Sequence, residues 1–295
     1  MARSLAVVVP TRDRPDHLDR CLRALRAVLG ETDELVVVDS CSARPAPVAA
    51  VCAAHGARLL RADRPGSDLA RNVGWRATTA DLVLFVDDDV AVEAGWADAY
   101  RAGVNGHGFA TGWVGAPEGS RHRVAVKTDE EQHDLTLDTH GPLGHGASTA
   151  VTREALEAIG GWDESLGAGA RFRSAPEQDL YDRLLGAGYL GVYLPQARAT
   201  HEQWRTDRQV AGLHLRYAVG AGARMSKLLR TDRSRLRAAG REFVWEWGLR
   251  DVLSEVRHGR VPHAAVGVMR LGGYAWGFLV ALVTPVRDGH FRPRR

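Results

Sequence analysis

Short apolar runs alternate with amphipathic stretches over the first ninety or so residues. Leu5-Ala6-Val7-Val8-Val9 ends on Pro10-Thr11, Leu35-Val36-Val37-Val38 on Asp39-Ser40, and Leu82-Val83-Leu84-Phe85-Val86 on three aspartates. Short apolar runs bounded by polar residues suit parallel strands covered on both faces. Arg58-Leu59-Leu60-Arg61 reads as a further strand. Between the runs, Leu18, Cys21, Leu22, Leu25 and Val28 fall on one helical face, and 47–55 and 68–78 also read as helices. The order β-α-β-α-β-α-β predicts a doubly wound α/β sheet. Further on, the pattern predicts helices over 93–103, 150–159 and 178–187, and strands over 109–114, 123–126 and 190–194, the last stopped by Pro195. The segment 128–145 reads as loop. From residue 206 the pattern turns helical, over 208–229, 234–257 and 262–283, with frayed residues after 290.

Candidate chemistry centres on the strand ending at Asp87, Asp88 and Asp89. Ligands of open α/β sheets bind beyond the carboxyl ends of strands. Three adjacent carboxylates need a counter-charge, which a divalent cation taking hard oxygen ligands would supply. A solvated acidic turn is the plainer alternative. The stretch at 66–74 is Gly-containing but lacks the G-x-x-x-x-G-K of a phosphate loop.

Composition changes this picture little. The chain has 295 residues, 45% hydrophobic and 25% charged, enough for a sizeable core. A net charge of +3 is too small to imply nucleic acid. Cys21, Cys41 and Cys52 lack C-x-x-C spacing, so a reducing cytosol is expected, with no signal peptide. The apolar stretch 264–286 is interrupted by Arg270 and Gly272-Gly273, so a clean membrane span is not expected. Tyr274, Trp276 and Phe278 would suit either an interfacial helix or a buried one.

Taken in order, the motifs resemble the family 2 glycosyltransferases of the GT-A fold. They are V-V-V-P-T at 7–11, V-V-V-D-S at 36–40, A-R-N-V-G at 70–74, L-F-V-D-D-D at 84–89, G-H-G-A-S-T-A-V-T-R-E-A-L at 144–156, G-G-W-D-E at 160–164, E-Q-D-L-Y-D-R-L-L-G-A-G-Y at 177–189, and His201 after L-P-Q-A. The resemblance covers 4–205. It implies a mixed, Rossmann-like α/β sheet over 1–205, with a nucleotide-binding half (1–112) and an acceptor and catalytic half (113–205). A helical C-terminal extension over 206–295 lies outside it.

The resemblance also implies site roles. Pro10, Thr11, Asp39, Arg71, Asp87 and Asp88 would bind the nucleotide-sugar donor. UDP is the first choice, because an acceptor-only carboxylate at Asp39 can take a uracil imide N–H and Arg71 carries a permanent charge. Asp87, Asp89 and His201 would hold Mn²⁺ or Mg²⁺ across the diphosphate, where the cation acts as a Lewis acid on the leaving group. Glu177 stands where the family has its base, with Pro176 where it often has Glu, and a shifted register makes Asp179 the alternative. One base and one displacement give inversion. Gly146, Ala147, Trp162 and Asp163 would form the acceptor wall, with a sugar stacked on the indole, and the Gly-rich 166–172 a lid.

The expected partners are the nucleotide-sugar and a hydroxyl-bearing glycan, lipid-linked or small-molecule acceptor, with no nucleic acid. Peripheral membrane contact through 262–286 and a homodimer both stay open. A nucleotidyltransferase would carry a Gly-rich basic loop after the first strand, where Pro10-Thr11-Arg12-Asp13-Arg14-Pro15 stands. A non-catalytic sugar-nucleotide-binding module is the remaining alternative.

Overall fold

The computed structural model describes residues 3–292, in two compact units: residues 1–162 with 180–203, and 163–179 with 204–295.

In the first unit the elements run β1 (Leu5–Thr11), α1 (Pro15–Arg26), β2 (Glu34–Asp39), α2 (Pro45–Ala54), β3 (Arg58–Arg61), α3 (Ser67–Arg76), β4 (Leu82–Val86), β5 (Val90–Val92), α4 (Trp96–Gly103), β6 (Phe109–Gly115), β7 (His133–Leu135), β8 (Ser148–Thr152), α5 (Arg153–Ile159), α6 (Pro176–Gly186) and β9 (Gly191–His201). The first turn of α6 belongs to the second unit. The sheet order is β3-β2-β1-β4-β8-β6-β9-β5, with β7 on β9. β3, β2, β1 and β4 are parallel. β8 then runs antiparallel between β4 and β6.

Every residue of β1 and of β4 is buried. Side chains alternate across a strand, so the two faces feed two cores. Leu5, Val7, Val9, Leu82 and Leu84 join Leu18, Leu22 and Leu25 of α1. Val8, Val36, Val38 and Phe85 join Leu69, Ala70 and Trp75 of α3 and Leu156 of α5. This is the doubly wound arrangement expected from the apolar runs.

Gly74 lets α3 lie close on that sheet. A Cβ there would stand 2.3 Å from Val8 Cγ1 and 3.2 Å from Val38 Cγ2, both rigid β-branched side chains. Gly74→Ala should therefore destabilise the protein by about 1–3 kcal/mol through overpacking. A urea midpoint equal to that of the parent would contradict this contact.

Several expected boundaries change. Residues 148–152 form a strand, and the helix begins only at Arg153, capped by Thr152 Oγ1, which accepts from Ala155 N–H at 3.3 Å. The β-branched Thr149, Val151 and Thr152 fit the pleated sheet. The helix expected over 93–103 starts at Trp96, because Gly95 is left-handed (φ +80°) and 90–92 is the short strand β5. Residues 123–126 lie outside any strand, with one bridge from Val114 to Lys127 nearby, while the expected loop holds β7. β9 runs on past Pro195, because pairing with β6 skips from Leu194 to Arg198 at a bulge. In that bulge the missing proline N–H costs no ladder bond.

In the second unit, α7 (Asp207–Thr231) opens with a Thr206–Gln209 capping box. It is followed by α8 (Arg233–Ala239), a π-helical stretch (Gly240–Arg250), α9 (Asp251–Arg257), α10 (Val261–Leu282) and the hairpin β10 (Val286–Arg287) and β11 (His290–Phe291). Gly272 and Gly273 do not interrupt α10. Glycines instead let α7 and α10 touch: a Cβ at Gly222 would meet the Tyr274 carbonyl at 2.1 Å, and one at Gly277 the Val219 carbonyl at 2.0 Å. Phe291, expected to fray, is buried against Leu166, Phe172, Ala223 and Ala281. Residues 293–295 lie outside the described residues. The Gly-rich 166–172 is thus anchored by Leu166 and Phe172 at its two ends.

Candidate active site

Parallel pairing sets Thr11 opposite Asp39 and Val8 opposite Phe85. The carboxyl ends of β2, β1 and β4 therefore bring Asp39, Thr11 and the aspartates at 87–89 to one sheet edge. In open α/β sheets that edge is where ligands bind.

Two arginines supply counter-charge to the three aspartates. Asp88 is fully buried and accepts from Thr11 Oγ1 at 2.7 Å. Arg14 bridges the next pair: its Nη2 lies 2.7 Å from Asp88 Oδ1, an ion pair without hydrogen-bond alignment, and its Nη1 donates to Asp89 Oδ2 at 2.9 Å. Arg71 Nη2 donates to Asp87 Oδ1 at 2.6 Å and its Nη1 to Asp68 Oδ1 at 2.6 Å. Its guanidinium lies over the Trp162 ring, 4.6 Å from the centroid. Burial pushes the Asp88 carboxyl up to about 7; Arg14 and Thr11 oppose the rise, and Asp89 and Asp87 add to it.

His201 reaches this cluster through strand pairing. β5 follows the aspartates directly and runs antiparallel to β9, with Val90 opposite His201. Glu202 N–H donates to the Asp89 carbonyl at 2.9 Å, and His201 Nε2 lies 3.3 Å from Asp89 Oδ1. On the other side of the ring, Nδ1 is 3.3 Å from Gln203 Nε2 and 3.4 Å from the Val124 carbonyl.

Among the described residues no group of three or more His, Cys, Asp or Glu could hold a cation by itself. Asp89 and His201 form a facing oxygen and nitrogen pair. Mg²⁺ and Mn²⁺ are commonly held by one or two protein ligands, with phosphate oxygens and water completing the shell. The residues present therefore fit such an ion as a partial shell.

Other expected residues stand differently. Asp39 is buried, accepting from Ser42 N–H at 2.8 Å and from Arg61 Nη1 at 2.8 Å. Arg71 is buried too, and its two bonds above go to carboxylates, so in this structure it orients Asp87. Asn72 holds the chain as expected: its Nδ2 donates to the Trp162 carbonyl at 2.9 Å, and its Oδ1 accepts from Trp162 N–H at 2.9 Å and Trp75 Nε1 at 3.0 Å.

The residues expected at the acceptor wall are buried in this structure. Gly146 and Ala147 are buried at the entry to β8. Trp162 is fully buried, edge-on to Phe85 with centroids 5.1 Å apart, so no indole face is open to a sugar. Asp163 is buried in an ion cluster of the second unit. There Lys227 Nζ, from α7, lies 2.5 Å from both Asp163 Oδ2 and Asp179 Oδ1, and Phe291 N–H donates to Asp163 Oδ2 at 2.8 Å. Asp179 is thus a buried, paired carboxylate, while Glu177 is part-exposed on the first turn of α6.

Sequence reasoning missed Arg14 and Lys227. Arg14 could be suspected from its place just after β1. Lys227 stands out as a lone lysine in the run Ala221-Gly222-Ala223-Arg224-Met225-Ser226-Lys227-Leu228, whose length and smallness signal burial.

The profile described as "Glycosyl transferase family 2" matches residues 6–160. The chain belongs to this family. Among curated relatives, the pre-mycofactocin glycosyltransferase of Mycobacterium tuberculosis is 28% identical over 216 residues. That match takes in 68% of this chain, which spans 43% of the relative's length. Among solved structures, the mannosyltransferase PcManGT of Pyrobaculum calidifontis, in complex with GDP-Man and Mn²⁺, superposes with a TM-score of 0.63 at 16% identity, covering 96% of this chain and 88% of that one. S. aureus TarS 1–349 in complex with UDP-GlcNAc gives 0.56 at 15% identity, covering 99% and 96%. At these identities the likeness is one of fold. The family 2 chain has the GT-A-type α/β architecture followed by C-terminal helices.

Proposed function

We propose that this family 2 protein transfers a sugar from a nucleotide-sugar donor, a UDP-sugar first, to an acceptor hydroxyl with inversion. The observation that carries the reading is the aspartate cluster at the β4 edge, beside Thr11 and Asp39, with His201 brought to Asp89. PcManGT was solved with GDP-Man and Mn²⁺ and TarS with UDP-GlcNAc, which supports the donor class and leaves the base to be tested.

The proposed roles follow from the chemistry of each group. Asp39 and Thr11 face the base and Asp87 the ribose. Asp89 and His201 would hold a divalent cation, which when bound neutralises charge on the departing diphosphate. Glu177 takes the acceptor hydroxyl's proton as it attacks the anomeric carbon. The commitment of Asp179 to Lys227 favours Glu177 over Asp179 as that base.

Calorimetric titration with UDP, GDP and dTDP, each with Mn²⁺ or with EDTA, tests the reading. One nucleotide is expected to bind, at least tenfold more weakly once the cation is chelated, since phosphate contacts through the metal are lost. A folded protein that binds none of the three, with or without Mn²⁺, would overturn the donor assignment. Metal-independent binding without donor turnover would instead point to a non-catalytic module.

A further inference from the structure

The second unit carries an apolar face that its own chemistry does not use. Along α10 the exposed large residues are Val261, Val268, Trp276, Leu279 and Leu282, with Val283 just beyond. Trp276 is 65% and Val283 81% exposed. Their spacing puts them on one stripe of a helix. The residues between them on that stripe, Ala265, Gly272 and Ala275, are exposed and uncharged. A water-facing helix surface ordinarily bears the polar residues.

The opposite face of α10 is apolar too: Leu271, Tyr274 and Phe278 pack inward, with glycines at the closest contacts. Gly267 lies against Val252, Gly273 against Ala218, and Gly277 against the Val219 backbone. Apolar residues thus line both faces of α10, with small ones at its close helix contacts, unlike a soluble amphipathic helix and as in helices whose outer solvent is lipid. The preceding stretch adds Trp245 and Trp247, both about half exposed, and tryptophan favours the membrane–water boundary.

Charge indicates what covers this face. Residues 204–295 hold 18 Arg and Lys against 7 Asp and Glu, whereas residues 1–203 hold 21 against 29. Arg241, Arg250, Arg257 and Arg260 are exposed around the apolar helices. So basic a region repels a second copy of itself and attracts an anionic surface.

The geometry separates lying on a membrane from crossing it. The part of α10 at Ala264–Leu282 is long and apolar enough to span by length and composition. Both ends, however, return to one folded unit. At the start Gly267 meets Val252 of α9, and beyond the end the Phe291 N–H is bonded to Asp163 and the Phe291 carbonyl to Ser165. The partner helix α7 also carries exposed Arg216 beside Leu215, which touches Gly273.

We infer that the outward face of α10 docks the protein in the plane of an anionic lipid bilayer, with Trp276 and Leu279 entering the headgroup boundary and the arginines holding lipid phosphates. The inference is independent of the transfer reaction.

Flotation of the full chain with extruded vesicles tests it, comparing phosphatidylcholine alone with phosphatidylcholine containing 30% phosphatidylglycerol. Binding to the anionic vesicles is expected to exceed that to neutral ones by about tenfold, and to fall severalfold when salt is raised from about 0.1 to 0.5 M. Trp276→Asp with Leu279→Asp should lower anionic vesicle binding by about tenfold or more while leaving the urea midpoint unchanged. Wild-type protein that stays with neither vesicle would overturn the inference. So would a wild-type dimer in sedimentation velocity that the same double variant turns to monomer, because the face would then be an interface between copies. Equal binding to neutral and anionic vesicles would overturn the anionic requirement.

Discussion

Asp89→Ala is expected to lower donor turnover by roughly a thousandfold, about 4 kcal/mol of lost charge stabilisation at the leaving diphosphate. Asp89 is the one aspartate of the three that faces both Arg14 and His201, at 2.9 Å and 3.3 Å. Its removal leaves His201 without its facing carboxylate oxygen, the pair proposed to hold the cation, while Arg14 keeps Asp88. The fold should therefore survive better than the chemistry. The measurement is release of nucleotide from whichever sugar donor its nucleotide identifies by calorimetry, with and without Mn²⁺. Turnover within tenfold of wild type, still sensitive to EDTA, would move the cation away from Asp89. A urea titration of the same variant separates lost chemistry from lost folding.

Lys227→Met should give the largest loss of stability, about 3–5 kcal/mol, because it strands two buried carboxylates that share one ammonium. Asp163 and Asp179 each lie 2.5 Å from Nζ. Without the cation, the two buried carboxylates repel each other with no counter-charge. The measurement is the urea midpoint at pH 8. Adding Asp179→Asn should restore part of the loss, since neighbouring groups are not additive. A double variant no more stable than Lys227→Met would mean that Lys227 acts through packing, including its place over the Phe291 ring.

The apolar runs made the parallel core legible. β1, β2 and β4 are buried on both faces, so their sequences had to be apolar along their lengths and turn polar only at the sheet edge. β5 and β8 were less legible. Val90-Ala91-Val92 is too short to show a period, and Ser148-Thr149-Ala150-Val151-Thr152 gains its strand state from its position between β4 and β6. The surroundings of Trp162 were illegible for a related reason: an indole in this motif reads the same whether exposed or packed, and only the fold sets it in the core beside Phe85. α10 was legible as a helix over 262–283, but not that Gly273 faces α7, where a Cβ would crowd Ala218.

By itself the sequence determined the doubly wound order, the acidic end of β4 and the family, because these rest on local hydrophobic pattern and on motifs that recur in fixed order. Tertiary structure alone decided which charges meet. Arg14 neutralises Asp88 and Asp89 across seventy-odd residues, the β5–β9 pairing carries His201 to Asp89, and Lys227 closes on Asp163 and Asp179. Coulombic contact depends on separation in space and on exclusion of water, and neither is written in the local order of residues.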